Sequence, residues 1–181
     1  MRIIVFGASG SGTTTLAKAL AEKWNWIHLD ADEYYWKKTN PPFQIKLPKQ
    51  ERNKNLKYDF IKSEEVIVSG SLITWDEYWN TAFDLGVFLI LPQNVRMERL
   101  KKREIELYGE KLKFEKEIIS KSEEFLKWAE KYDDELFDGR SISQHKKWIE
   151  LLDCEVIEIG NLTNEERIEI VTEKIKNITN V

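Results

Sequence analysis

Nine residues near the amino terminus combine flexible backbone with a run of hydroxyls: Gly7-Ala8-Ser9-Gly10-Ser11-Gly12-Thr13-Thr14-Thr15. Glycine permits backbone conformations in which successive N–H groups turn toward one point, and such a ring of donors binds an anion. Gly7 and Gly12 have the spacing of the phosphate-binding pattern G-x-x-x-x-G-K-[S/T], and Thr14 stands at its hydroxyl position. A helix starting near Thr13 adds its positive end. Gly7, Ser9, Gly10, Ser11, Gly12, Thr13, Thr14 and Thr15 are the candidate phosphate contacts, and Thr14 is placed to ligate Mg²⁺. Thr13 occupies the position of the pattern's lysine, which normally reaches the outer phosphates and offsets developing charge.

Two carboxylates follow in Asp30-Ala31-Asp32, ahead of Tyr34-Tyr35-Trp36. Along an extended strand end, residues two apart point to one side, so both carboxylates can face the same cleft. One could orient an acceptor hydroxyl or take its proton, and the other could hold a metal-bound water. The alternative is that Asp30 or Asp32 caps the next helix. The aromatic trio, Tyr35 included, either stacks a ring or packs the core. Ser69-Gly70-Ser71 offers a glycine with a hydroxyl on each side, a turn that lets backbone approach a ligand or simply joins a strand to a helix.

Five of the eight residues Arg96-Met97-Glu98-Arg99-Leu100-Lys101-Lys102-Arg103 are basic. Arg99 and Arg103 are four apart and share a helix face. Such a face can neutralise phosphoryl charge, or it can be a solvated surface paired with Glu98, Glu104 and Glu106. Lys131-Tyr132-Asp133-Asp134, with Arg140 beyond it, is a second lid signal. His28 reads as a packed or rim histidine. His145 lies on an amphipathic stripe without a partner motif, and Cys154 reads as inert. Gly160-Asn161 follows the last strand.

Five short apolar runs must position these groups: Ile3-Phe6, Ile27-Leu29, Val66-Val68, Val87-Leu91 and Val156-Ile159. Each is nearly continuous, as strands buried on both faces are. Helical stripes lie between them: Leu16, Leu20 and Trp24; a long one of Phe114, Ile118, Phe125, Ala129 and Tyr132; and His145, Trp148, Ile149 and Leu152. The last helix opens on Thr163 and Glu166, the spacing of a capping box, with Ile168, Val171, Ile175 and Ile178 as its apolar face. The alternation predicts a three-layer α/β/α fold on a five-stranded parallel sheet, with ligands beyond the carboxyl ends of the strands. One domain spans residues 1–181. Residues 31–65 form a substrate-binding insertion and 92–154 a helical lid.

The composition excludes several classes. The 28 basic against 32 acidic residues give a net charge of −4, which argues against a nucleic-acid binder. The longest uninterrupted apolar run, Val87 to Leu91, is far short of a membrane span, and the start is too short for a signal peptide. A single cysteine leaves no internal disulfide. The expectation is a cytoplasmic protein, monomeric or homodimeric, with a small-molecule substrate and neither nucleic-acid nor membrane partners.

With G-x-S-G-S-G-T-T-T, the D-x-D-x-x-Y-W after strand two and S-G-S after strand three, the chain resembles the nucleoside monophosphate kinase-like branch of the phosphate-loop proteins. That branch includes adenylate, cytidylate, shikimate and gluconate kinases. Nearly the whole chain is covered, most closely by bacterial proteins labelled adenylate kinase-like or ATPase. The resemblance implies ATP and Mg²⁺ as cofactors, Asp30, Asp32 and Arg103 as catalytic groups, Arg99 packed on the adenine, and a glycine turn at Gly70 against the acceptor. Archaeal cytidylate kinases of this branch also carry threonine for the loop lysine. The leading expectation is a kinase that passes the γ-phosphoryl of Mg-ATP to a hydroxyl or phosphate acceptor, held against Tyr35, Ser69, Gly70 and Ser71. The few cations in 31–65, chiefly Arg52 and several lysines, favour a neutral or weakly charged acceptor. The alternative, favoured by Thr13, is a nucleotide-binding regulatory protein with little or no transfer.

Overall fold

The continuous apolar runs become strands because a parallel sheet covered on both faces offers them no solvent side. The computed structural model describes residues 1–179; Asn180 and Val181, the end of the range read as one domain, lie outside the described residues. The strands are β1 (Arg2–Gly7), β2 (Ile27–Asp30), β3 (Val66–Ser69), β4 (Leu85–Leu89) and β5 (Glu155–Ile159). They pair in parallel in the order β2-β3-β1-β4-β5. β1 is therefore central, and Gly7 leaves the sheet between the carboxyl ends of β3 and β4.

Helix α1 (Thr13–Trp24) and the last helix, α8 (Asn164–Thr179), cover one face of the sheet. Leu16, Leu20, Val171 and Ile175 pack there on Ile3, Val5 and Val87. The other face is covered by α3 (Lys49–Phe60) and α7 (Ile142–Ile149), with Phe60, Trp75, Trp79 and Trp148 against Ile4, Phe6 and Phe88. This is the expected α/β/α arrangement. Between them, the short α2 (Ala31–Tyr35) follows β2 directly. Helices α4 (Gln93–Tyr108), α5 (Lys111–Phe114) and α6 (Lys116–Glu130) form a separate helical unit, in which Met97 and Leu100 meet Ala129 and Phe125. No described helix is long and apolar enough to cross a membrane.

Three details differ from the sequence reading. β4 starts two residues earlier and ends at Leu89, because Gly86 is a strand residue hidden against Val156 and Pro92 heads the next helix. The long stripe from Phe114 to Tyr132 is broken at Glu115, which takes an extended conformation, so Phe114 belongs to α5 and is 77% exposed. The face of α8 turns by about a residue: Arg167, Val171, Thr172 and Ile175 are buried, and Ile178 is exposed. The capping box at its start does form, with Thr163 N–H donating to Glu166 Oε2 (2.8 Å) and Glu166 N–H to Thr163 Oγ1 (3.2 Å).

Gly86 is required for space. A Cβ there would lie 2.8 Å from Val156 Cγ2, and a valine side chain cannot swing away. Gly86→Ala is expected to destabilise the protein by about 1–3 kcal/mol, against its β-propensity gain. Val156→Ala should recover part of that loss in the double variant. Urea denaturation of the four proteins in this cycle checks both statements.

Candidate functional site

The phosphate-loop residues run from the end of β1 into α1. Ser11 N–H closes a turn on the Ala8 carbonyl (3.1 Å), and Gly12 caps α1 with φ +94°. Gly10 has φ +82°, and a side chain there would strike the Arg96 carbonyl at 2.8 Å. Only glycine fits at both positions. Ser9, Thr13 and Thr14 are half-buried, Ser11 is buried, and Thr15 is exposed in the first turn of α1.

Thr14 and Asp30 meet. Thr14 Oγ1 donates to Asp30 Oδ2 (2.9 Å), while Asp30 Oδ1 accepts from Asp32 N–H (3.0 Å) and caps α2. Asp30 is therefore the helix cap that one of its open readings gave, and it also joins α2 to the phosphate loop. Asp32 is in the first turn of α2 rather than on an extended strand end. The two carboxylates come together through the cap, and not through strand alternation. Thr14 Oγ1 and Asp30 are hard oxygen donors of the kind Mg²⁺ takes, with the rest of an octahedral shell left to phosphate and water. Among the described residues no cluster of three or more His, Cys, Asp or Glu could cage a metal, which fits an ion shared with a phosphate ligand.

Asp32 is open to solvent yet hemmed by protein, as a group on the floor of a cleft is. Desolvation raises its carboxyl above the ordinary carboxylate value, the charge of Asp30 raises it further, and Arg140 and Arg103 pull it down. The charges of two guanidiniums from the helical region thus act on this carboxylate, although Arg103 lies over the Phe125 ring and Arg140 over that of Trp128. Arg99, one turn before Arg103, reaches the phosphate loop, with Nη1 3.7 Å from the position a Gly12 Cβ would take. Neither Arg99 nor Arg103 pairs with a carboxylate among the described residues, whereas Lys102 pairs with Glu106. The solvated-pair reading of this face holds for the lysine and not for the arginines.

The acceptor side departs more from expectation. Ser69 is buried and its Oγ is bonded to His28 Nε2 (2.9 Å); Ser71 Oγ is bonded to His145 Nε2 (3.1 Å). Both hydroxyls belong to the frame beneath the turn. Gly70, with φ +102°, presents the backbone, packed close to Ala31 Cβ. Tyr34 hydroxyl donates to Asp59 (2.8 Å), so it fastens α2 to α3. Tyr35 does not lie free as a platform. Its ring and that of Trp75 enclose the buried Arg52 guanidinium at 4.3 and 5.0 Å. Arg52 Nε has no partner, and no carboxylate pairs with this arginine among the described residues. The loop 37–47 also reaches the helical unit, where Lys121 Nζ donates to Gln44 Oε1 (2.8 Å).

The sequence reading left Arg52 as a mere available cation and did not find the roles of Arg96, His145 or Arg167. Arg96 is fully buried: Nε donates to the Leu91 carbonyl (3.1 Å), Nη2 binds Asp133, and the guanidinium lies 4.9 Å from the Tyr132 ring. Tyr132 hydroxyl and His145 Nδ1 are 2.7 Å apart. Burial, then Arg140, lowers the His145 pKa to about 3, so the ring is neutral. The segment 131–134 thus braces Arg96. The readable signal was a cation on each otherwise apolar stripe: Arg96 beside Met97 and Leu100, and Arg167 beside Ile168 and Val171.

Comparison with known proteins agrees with this geometry. Residues 3–120 match the family model described as an AAA domain, and the chain belongs to that family. It is 39% identical over 157 residues to the uncharacterized protein YqaC of Bacillus subtilis, covering 87% of this chain and 86% of that one. It is 29% identical over 144 residues to a cytidylate kinase of Methanococcus aeolicus, covering 74% of this chain and 80% of the kinase. Shikimate kinase from Acinetobacter baumannii superposes with a TM-score of 0.57 at 18% identity, over 99% of this chain and 93% of that one, a likeness of fold. The fold is that of a kinase-like phosphate-loop protein.

The raised Asp32 carboxyl has a sign that can be checked. An acid whose native pKa lies above its unfolded value destabilises the native state at every pH above the unfolded value, so the penalty is present at neutral pH, shrinks as pH falls below the native pKa and is gone below the unfolded one. Asp32→Asn should therefore raise Tm at pH 7 by about 1–2 °C, since about 1 kcal/mol moves Tm by about 2–4 °C in a domain of this size and solvent contact keeps the penalty below that. In carboxyl-carbon NMR titrations, Asp30→Asn should lower the Asp32 midpoint and Arg140→Met should raise it.

Proposed function

We propose that this protein is an ATP-dependent small-molecule kinase. The observation that carries the reading is the convergence, beyond the carboxyl ends of β1, β2 and β3, of the Gly7–Thr15 loop, the Thr14–Asp30 pair and an Asp32 on which the charges of Arg103 and Arg140 act. The loop would hold the phosphates of ATP. Thr14 and Asp30 would hold Mg²⁺, which when bound screens the phosphate charge. Arg99 and Arg103 would approach the nucleotide from α4.

In this reading Asp32 orients the acceptor hydroxyl and takes its proton as the oxygen attacks the γ-phosphorus. The bond from that phosphorus to the β–γ bridging oxygen breaks, and ADP leaves with that electron pair. A carboxylate with a raised pKa is a better base for this than an ordinary one. Arg103 and Arg140, whose charges already act on Asp32, would stabilise the charge spread over the transferring group. Most of the rate gain comes from positioning.

Arg52 changes the reading of the acceptor. A buried guanidinium held between two rings with no carboxylate partner is poised for an anion. It supports an acceptor that carries a carboxylate or phosphate as well as the reactive hydroxyl, in place of the neutral or weakly charged one suggested by the small number of cations.

ADP formation from Mg-ATP, measured against hydroxy acids, nucleosides, nucleoside monophosphates and neutral sugars, tests the proposal. Turnover is expected with an anionic hydroxyl acceptor. Asp32→Asn should lower kcat by about 10²–10⁴-fold. Arg52→Met should chiefly raise the acceptor KM. Thr13 favours the second reading, a nucleotide-binding regulator. Firm ATP binding without acceptor-dependent turnover, unchanged by Thr13→Lys, would establish that reading instead.

A further inference from the structure

Arg167 holds two loops with one side chain. It lies near the start of α8 and is 3% exposed. Its Nη1 donates to the Ser11 carbonyl (3.0 Å) and its Nη2 to the Gly160 carbonyl (3.2 Å). Ser11 is in the phosphate loop; Gly160 follows β5. No carboxylate pairs with Arg167 among the described residues. The charge next to it is a like one, Arg99, and burial together with Arg99 lowers its pKa, although a guanidinium stays protonated.

The Ser11–Gly12 peptide is a planar, trans unit, so its C=O and N–H point to opposite sides. A guanidinium that fixes the Ser11 carbonyl toward α8 fixes the Gly12 N–H away from α8. That N–H donates to no protein group among the described residues. A cation bonded to the carbonyl also draws electron density along the peptide and strengthens the N–H as a donor. From this geometry we infer that Arg167 is a positioning residue for nucleotide binding: it aims and polarises the Gly12 N–H toward a polyphosphate and locks the phosphate loop to the loop after β5. In a loop with threonine in place of lysine, part of the missing positive charge is delivered through this peptide. The inference rests on the nucleotide-binding half of the kinase reading and not on phosphoryl transfer.

The test uses the full-length protein and its Arg167→Met and Arg167→Lys variants. Calorimetric titration with Mg-ATP and with tripolyphosphate, which has no base, measures the effect at the phosphates. The Gly12 amide shift in nitrogen–proton NMR reports its donor strength. Arg167→Met should weaken both ligands by about ten-fold or more, the scale of a charge-assisted hydrogen bond. It should also move the Gly12 amide proton upfield. Arg167→Lys keeps the charge but reaches a single carbonyl, and should recover part of the affinity and part of the shift. Affinities within two-fold of wild type in both variants, or a Gly12 amide that does not move, would overturn the inference. Should Arg167→Met fail to fold, the lysine variant decides by the same two readouts. Wild-type binding of tripolyphosphate without turnover on any acceptor counts against the kinase reading alone.

Discussion

Arg96 brings a full positive charge into the interior, and three neighbours meet it there, although Nη1 is left without a hydrogen-bond partner. Its side chain takes the carbonyl that ends the β4 run, the carboxylate of Asp133 and the face of Tyr132. Its own carbonyl is the surface against which Gly10 packs. From Tyr132 the contacts continue through His145 to Ser71, and so to the glycine turn on the acceptor side. One residue at the root of α4 thereby fixes the phosphate loop, the helical unit and the turn after β3 relative to one another. Removing a partner from a buried charge costs far more than the pair contributes, so these elements hold their arrangement as a set.

A division of labour between the cations follows. Lys62, Lys102, Lys111, Lys113, Lys121, Lys127 and Lys174 are each paired with a carboxylate on the surface. Arg52, Arg99, Arg103 and Arg140 have none among the described residues. An acidic protein thus keeps these arginines without carboxylate partners, and theirs is the side chain whose planar fork matches carboxylate and phosphate. The net charge of −4 conceals this, because it counts paired and unpaired cations alike.

What could be read from the sequence was what depends on local chemistry. Gly7, Gly12 and Thr14 announce the loop by spacing, and the Val- and Ile-rich runs announce the strands because both of their faces are buried. Thr163 and Glu166 announce a helix start because a capping box is local. What escaped was pairing at a distance. Nothing near Ser69 or Ser71 shows that a histidine 41 residues before the one and another 74 residues after the other will take their hydroxyls. The extended geometry expected for Asp32 failed because Asp30 caps α2 at once and turns the chain into a helix. Arg167 was hidden by being polar on an apolar stripe, where a pattern reading sees only an interruption.

The neutral histidine in that chain gives the cleft a simple acid–base character. With His145 lowered to about 3 and the Tyr132 phenol pushed up beyond the range of ordinary media, the frame neither gains nor loses protons across the conditions in which proteins work. Its donors and acceptors keep the same polarity in mildly acidic and mildly alkaline surroundings. The frame is silent as a buffer: Ser71 and the turn beside it rest on a fixed background.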